Sequence, residues 1–405
     1  MPKKRKNGEG YDTVRLKDGN YSKRITVGRD QITGKQKRIT VTGNTQAEVR
    51  SKAQKARLDA EQGIYKDPSK ITVKEWLLKW LEVYAKPAVK LSTFISYEGY
   101  INNHLIPAFG GMRLFSLRAD TIQGFYNGKM ENGRRDKALN EKTGELEIKA
   151  GGLSAKTIRN LHNMLHKAFG QAYKNGLVLT NVIDLVAPPR AVKAEMRVLT
   201  LLEQRTLLEQ AKEHRLGIVV ILGLGTGMRI GEMLALKWKD IDFNKNLLQV
   251  RHTINRLKSY EGDAKTEIVL GEPKTEKSRR TIPLDDILIE RLKEHKKNQL
   301  SERLKAGKAY VNQDFLFTNE LGAPVEPRTY QDIFQKLVKQ AGISNVNIHA
   351  LRHTFATRAL EAGIPAKIVS EILGHSTVAI TLDLYSHVSV DTKREAIEKI
   401  ANLYR

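Results

Sequence analysis

Two arginines, two histidines and a lysine run through the second half of the chain toward one tyrosine. They are Arg229 in GTGMRIGE, Lys274 in PKTEKSRRTIPL, His349 and Arg352 in HALRHTFAT, His375 in LGHSTVAIT and Tyr385 in LDLYSHV. Brought together, this set has the means to break a phosphodiester without a metal ion. Fixed positive charge meets the anionic transition state. A proton donor serves the leaving oxygen. The phenol is a nucleophile that keeps the cut end attached.

Local sequence says how each would be positioned. Gly225, Thr226 and Gly227 precede Arg229 and the helical run IGEMLALKW, so the chain turns sharply and sets the arginine at a helix start, where it suits a phosphate. His349 and Arg352 are three apart in a helical pattern and share a face. His353, four from His349, gives HALRH the spacing of a two-histidine metal site. No acidic residue falls inside that motif and the chain has no cysteine, so no metal site is expected. Gly374 stops the helix KIVSEIL and exposes His375. Lys274 lies in a turn entering a strand, with Lys277, Arg279 and Arg280 competing for its role. Taken singly, each of these residues has an ordinary explanation, since most arginines pair on surfaces and most tyrosines pack in cores.

Composition narrows the partners. The 405 residues carry a net charge of +24, which points to a polyanion, most often nucleic acid. Residues 1–66 hold 17 Lys and Arg against 7 Asp and Glu, so the charge is concentrated at one end. MPKKRK reads as a basic arm that follows a DNA groove. The absence of cysteine rules out disulfides and thiol catalysis and fits the cytoplasm. No apolar run approaches the roughly 18 residues of a membrane span, and no partner membrane is expected.

The elements that must carry these residues fall into three segments joined by one linker: 1–66, 67–187, a proline-marked linker 188–197, and 198–405. The fold expected is multidomain and mainly α with small β-sheets. In the first segment, alternation around Arg15, Thr26 and Thr40 predicts three strands, and Thr45 with Glu48 predicts a capped helix to about Gln62. Arg15, Lys23, Lys37 and Arg38 are read as outward, forming a basic sheet face for a DNA groove. The second segment is helical. Thr72 and Glu75 form a capping pair before Trp76, Leu77, Trp80, Leu81 and Tyr84, which read as core. Ser92 starts another helix and Ser154 caps a third; residues 131–152 read as a surface loop or hairpin. The third segment mixes helices with strands at Asp242-Phe243, Leu247 to His252 and Thr281 to Leu284. It ends in an amphipathic helix after Tyr385.

In their order, Arg229, Lys274, His349-x-x-Arg352, His375 and Tyr385 resemble the tyrosine recombinase (phage integrase) family, and within it the integrases of conjugative transposons. The resemblance covers 70–405 and is strongest across 222–242 and 347–388. One departure is the spacing of ten from His375 to Tyr385, where many members have nine; other members share the longer spacing. The resemblance implies an arm-type DNA-binding domain at 1–66, a helical core-binding domain at 67–187 and a mixed α/β catalytic domain at 198–405. It implies that Tyr385 attacks the scissile phosphate to give a 3′-phosphotyrosine, with His349 as base, Arg229 and Arg352 as clamps, Lys274 as acid and His375 bonded to the phosphate. No cofactor is implied. The implied partners are double-stranded DNA at core and arm sites, a Holliday junction, three further copies joined through the C-terminal tail, and an accessory DNA-bending or excision factor. A type IB topoisomerase and a non-catalytic DNA-binding module are the rival readings.

Overall fold

The computed structural model describes residues 13–16, 19–29, 36–61, 71–134, 137–139, 146–148, 151–191, 196–260, 265–272 and 278–383. Side chains at 27–29, 37, 59–61, 137–139 and 146–148 also lie outside the description. Lys274, Tyr385 and the helix expected after Tyr385 therefore fall outside it. The chain divides into two compact units, Met1–Lys193 and Ala194–Arg405.

The first unit begins with β1 (Val14–Arg15), β2 (Tyr21–Arg29) and β3 (Gln36–Gly43), an antiparallel sheet in that order, followed by α1 (Gln46–Glu61). Ile25 pairs with Ile39, and Ile25 packs with Ala53 of α1, so α1 covers the face that holds Ile25. Side chains alternate across a strand. Lys23, opposite Val41, and Arg15, opposite Tyr21, therefore share the Ile25 face. This corrects the outward reading of Lys23, which is half-buried there; Arg15, on the edge strand β1, stays exposed. The opposite face presents Arg38, expected there, and Arg24, which was missed. Lys37 lies in β3, with its side chain outside the description. Glu48 N–H does donate to Thr45 Oγ1, but the Glu48 carboxylate returns to Asn44 N–H rather than to Thr45.

The rest of this unit, among the described residues, is mainly helical. α2 (Val73–Trp80) opens on the expected capping box, with Thr72 and Glu75 bonded reciprocally. Trp76 is buried and its indole N–H donates to Ala168 O at 3.0 Å, tying α2 to a helix 92 residues on. These aromatics are core. The next helix, α3 (Leu91–Tyr100), has Lys90 and not Ser92 at its N-cap, so Ser92 sits inside the first turn. It runs through a π-turn into α4 (Ile106–Phe109). α5 (Ala119–Asn132) leads to a hairpin, β4 (Lys137–Leu139) with β5 (Leu146–Ile148), within the stretch read as a loop or hairpin. Ser154 caps α6 (Ala155–Lys174), whose Ile158, Leu161, Leu165, Ala168 and Phe169 are buried.

The second unit is built around α8 (Ile218–Thr226), an almost wholly apolar helix buried on most sides, as such helices must be. α7 (Leu201–Lys212) packs beside it; α9 (Ile230–Leu234) follows after one turn of chain. A small antiparallel sheet runs β10 (Arg280–Pro283), β7 (Leu247–Val250), β6 (Ile241–Asp242). The strand expected from Leu247 to His252 stops at Val250. The chain then opens a separate hairpin, β8 (Thr253–Lys258) with β9 (Thr266–Gly271), because β8 pairs with β9 and not with β10. α10 (Asp286–Ala306), α11 (Pro327–Gln340), α12 (His349–Glu361), α13 (Ala366–Leu373) and α14 (Ala379–Leu382) complete the unit. Among the described residues, no helix is long and apolar enough to cross a membrane.

Candidate active site

Three chain segments far apart in sequence are tied together by one buried guanidinium. Arg352, on the first turn of α12, donates from Nη1 to Gly227 O at 2.8 Å and from Nη2 to Leu373 O at 2.9 Å. Those carbonyls stand two residues ahead of Arg229 and of His375. The geometry at both is set by glycine. Gly227 caps α8 at φ +62° and Gly374 caps α13 at φ +66°, left-handed conformations that side chains disfavour.

Arg229 is the N-cap of α9, as its glycines required. Its side chain is held by an acid that sequence reading passed over. Glu232 is buried and accepts from Arg229 Nη1 at 2.7 Å and from Arg280 Nη2 at 2.9 Å. Burial alone would raise the Glu232 carboxyl pKa, but the charges of Arg280 and Arg229 outweigh it and hold the group below the ordinary carboxylate value. The pattern was there to read: an acid three residues after a helix-opening residue is a capping signal. Its burial and its second arginine were not.

His349 opens α12, its backbone N–H bonded to Asn347 Oδ1 at 2.9 Å. Burial, with like charge from Arg352 and Arg229, lowers its pKa. His375 follows α13, with Nδ1 2.8 Å from Thr381 Oγ1. Burial, then Arg352, Arg229 and Arg280, lower its pKa to about 4. Both imidazoles are therefore neutral at pH 7, in a field made by three arginines. A 400 Å³ cavity lined by Arg280, Ser370 and Thr377 adjoins His375.

The structure brings Arg229, His349, Arg352 and His375 together. Of the lysine's competitors, Arg279 is exposed and pairs with Glu272, while Arg280 is buried against Glu232. Lys274, Lys277 and Tyr385 lie outside the described residues. No group of three or more His, Asp or Glu positioned for a metal ion occurs among the described residues.

Comparison with known proteins shows the family. The profile described as "Phage integrase family" matches residues 197–391, and "Phage integrase, N-terminal SAM-like domain" matches 72–130. A XerC-like tyrosine recombinase of Caldanaerobacter subterraneus subsp. tengcongensis is 32% identical over 98% of this chain and 98% of its own. The chain belongs to the phage integrase family of tyrosine recombinases. It is thus an enzyme of a family that cleaves and rejoins DNA. The ICEBs1 integrase of Bacillus subtilis is 23% identical over 96% of this chain and 99% of its own. Among solved structures, the Tn1549 transposon integrase in complex with transposon right end DNA is 26% identical, with a TM-score of 0.63, over 82% of this chain and 100% of that one. The expected fold class holds: a mainly helical recombinase with small antiparallel sheets.

Proposed function

We propose that this recombinase integrates and excises a conjugative mobile element, cutting each strand through Tyr385. The observation that carries the reading is the Arg352 guanidinium, which joins the segments of Arg229 and His375 through the carbonyls of Gly227 and Leu373. A scissile phosphate set among Arg229, Arg352 and His375 would find its non-bridging oxygens neutralised. His349, neutral at pH 7, is fit to accept the phenol proton. An unperturbed tyrosine ionises near pH 10, and neighbouring cations favour its phenolate. Lys274 would protonate the departing 5′-oxygen. The bond energy stays in the 3′-phosphotyrosine, so a 5′-hydroxyl from a partner duplex can rejoin the strand without ATP.

Four strands must be cut, which calls for a tetramer and a Holliday junction between two rounds of exchange. The tail after Tyr385 is the segment proposed to link neighbouring copies. Residues 1–66 would hold arm-type sites and 67–187, through the linker 188–197, the core site, with 198–405 as the catalytic domain. Arg24 joins Arg15 and Arg38 as the proposed contacts of the N-terminal sheet, in place of Lys23. An accessory DNA-bending or excision factor fits such a reaction, which would run on bacterial DNA in the cytoplasm. The relationship to the Tn1549 integrase, whose structure contains transposon end DNA, supports the choice of element.

The test is covalent trapping on a nicked suicide duplex without magnesium. The wild-type chain should form a protein–DNA adduct, and Tyr385→Phe should form none. An adduct in that variant would assign the nucleophile elsewhere.

A further inference from the structure

The buried Arg280 makes three contacts, each to a different part of the site. Nη2 donates to Glu232 Oε2 at 2.9 Å, and Glu232 holds Arg229 with its other oxygen at 2.7 Å. Nε donates to Ile372 O at 2.5 Å, the carbonyl next to the Leu373 carbonyl that Arg352 holds. Nη1 donates to Ser278 O at 3.0 Å, fixing the start of its own strand β10. Two successive carbonyls at the C-terminal end of α13 thus receive two different arginines, just before the turn that presents His375. Orphan carbonyls at a helix end favour cations.

A guanidinium is a rigid planar fork that can serve several acceptors in fixed directions, which an ammonium cannot. Arg280 and Glu232 have 6% and 4% of their side chains exposed, so neither has water to fall back on. We propose that Arg280 is a positioning residue for the phosphate clamp: it fixes Arg229 through their shared Glu232 and fixes the His375 turn through the Ile372 carbonyl. It does not itself touch the phosphate. Arg229 has 37% of its side chain exposed and remains open to a ligand. Without Arg280, Glu232 would be left to Arg229 alone, drawing that guanidinium into the acid and away from DNA, while the α13 end would lose one of its two anchors. The inference rests on the clamp roles proposed above for Arg229 and His375.

The test uses the full-length chain in single-turnover adduct formation on two suicide duplexes, one with a normal scissile phosphate and one with a methylphosphonate there. The methyl group removes one negative charge from the transition state, so the reaction depends less on how the arginines are placed. Removing a direct donor commonly costs about 10²–10³-fold. Arg280→Lys should lose somewhat less, about 10- to 100-fold, on the phosphate. DNA affinity should stay close to wild type, and the loss should shrink to a few-fold on the methylphosphonate. Glu232→Gln, which keeps the shape and removes the charge, should follow the same pattern. Equal losses on both substrates, in step with a lower melting temperature, would make Arg280 a fold-stabilising residue only and overturn the proposal. So would wild-type rates in Arg280→Lys while Arg229→Ala is inactive. Full activity in Arg229→Ala on the phosphate substrate is the separate result that removes the clamp itself.

Discussion

At the scale of single residues, this site is a concentration of arginine balanced by one carboxylate. Arg229, Arg280 and Arg352 surround Glu232, and burial, reinforced by the excess positive charge, keeps both histidines neutral. Arg229→Ala should therefore keep DNA binding and lose cleavage by about a hundredfold or more, since one donor to a developing anion commonly supplies ~3 kcal/mol. Adduct formation and gel-shift affinity, measured on the same duplex, separate the two effects; an adduct rate near wild type would contradict the clamp. The histidine shifts set a pH dependence. Their folded pKa values are depressed below the ordinary value near 6.5. The unfolded chain therefore binds protons first as pH falls. Their contribution to stability is complete above about 6.5 and is lost progressively toward pH 4, where His375 in the folded protein takes up its own proton. For catalysis the same shift moves the acid limb. The second-order rate of adduct formation, which reports the free enzyme, should fall to half its plateau below the ordinary imidazole value near 6.5. A limb centred at or above 6.5 would mean that no depressed histidine serves as the base.

At the scale of elements, glycines decide where the site residues go. A Cβ at Gly227 would lie 2.4 Å from Leu373 Cδ2 and 2.5 Å from Phe355 Cδ1, and the backbone there is left-handed. Gly227→Ala should cost about 2–4 kcal/mol from strain and overpacking together. It should also reduce cleavage beyond the loss of folded protein, because the Gly227 carbonyl anchors Arg352. Denaturant melts beside adduct yields per folded molecule test this, and a variant as stable as wild type would remove the packing argument. The glycines were legible in sequence, as were Thr72 with Glu75, Ser154, and the Trp76–Trp80 stripe, because caps and helical periods are local. What was not legible depended on distant pairing. Nothing between Leu247 and Lys258 marks the change at Val250; it is decided by β10 on one side and β9 on the other. Arg280 could be read as a lysine substitute until its contacts with Glu232 and Ile372 were seen. The placement of Lys23 was a different kind of miss, since strand parity with Ile25 already put it on the covered face.

At the scale of the whole molecule, charge is distributed unevenly, and that distribution makes the last prediction. Of the net +24, residues 1–66 supply +10. Their sheet turns one face to α1 and the other, with Arg24 and Arg38, away from it. Each phosphate neutralised by such cations adds about 0.9 to the slope of log affinity against log salt. Deleting residues 1–66 should therefore weaken binding to distal arm-type DNA and flatten its salt dependence by several units. Adduct formation on an isolated core duplex should remain, because the proposed cleavage residues all lie beyond 198. The double variant Arg24→Ala, Arg38→Ala isolates the face from the rest of the segment, and should lower the slope by roughly two if each meets one phosphate. Fluorescence anisotropy across a salt series reads both. If the double variant keeps the wild-type slope while the deletion loses it, the contacts come from elsewhere in 1–66 and the exposed sheet face is not the DNA surface. If the deletion itself keeps the slope, the positive charge of this segment does not engage the arm DNA at all.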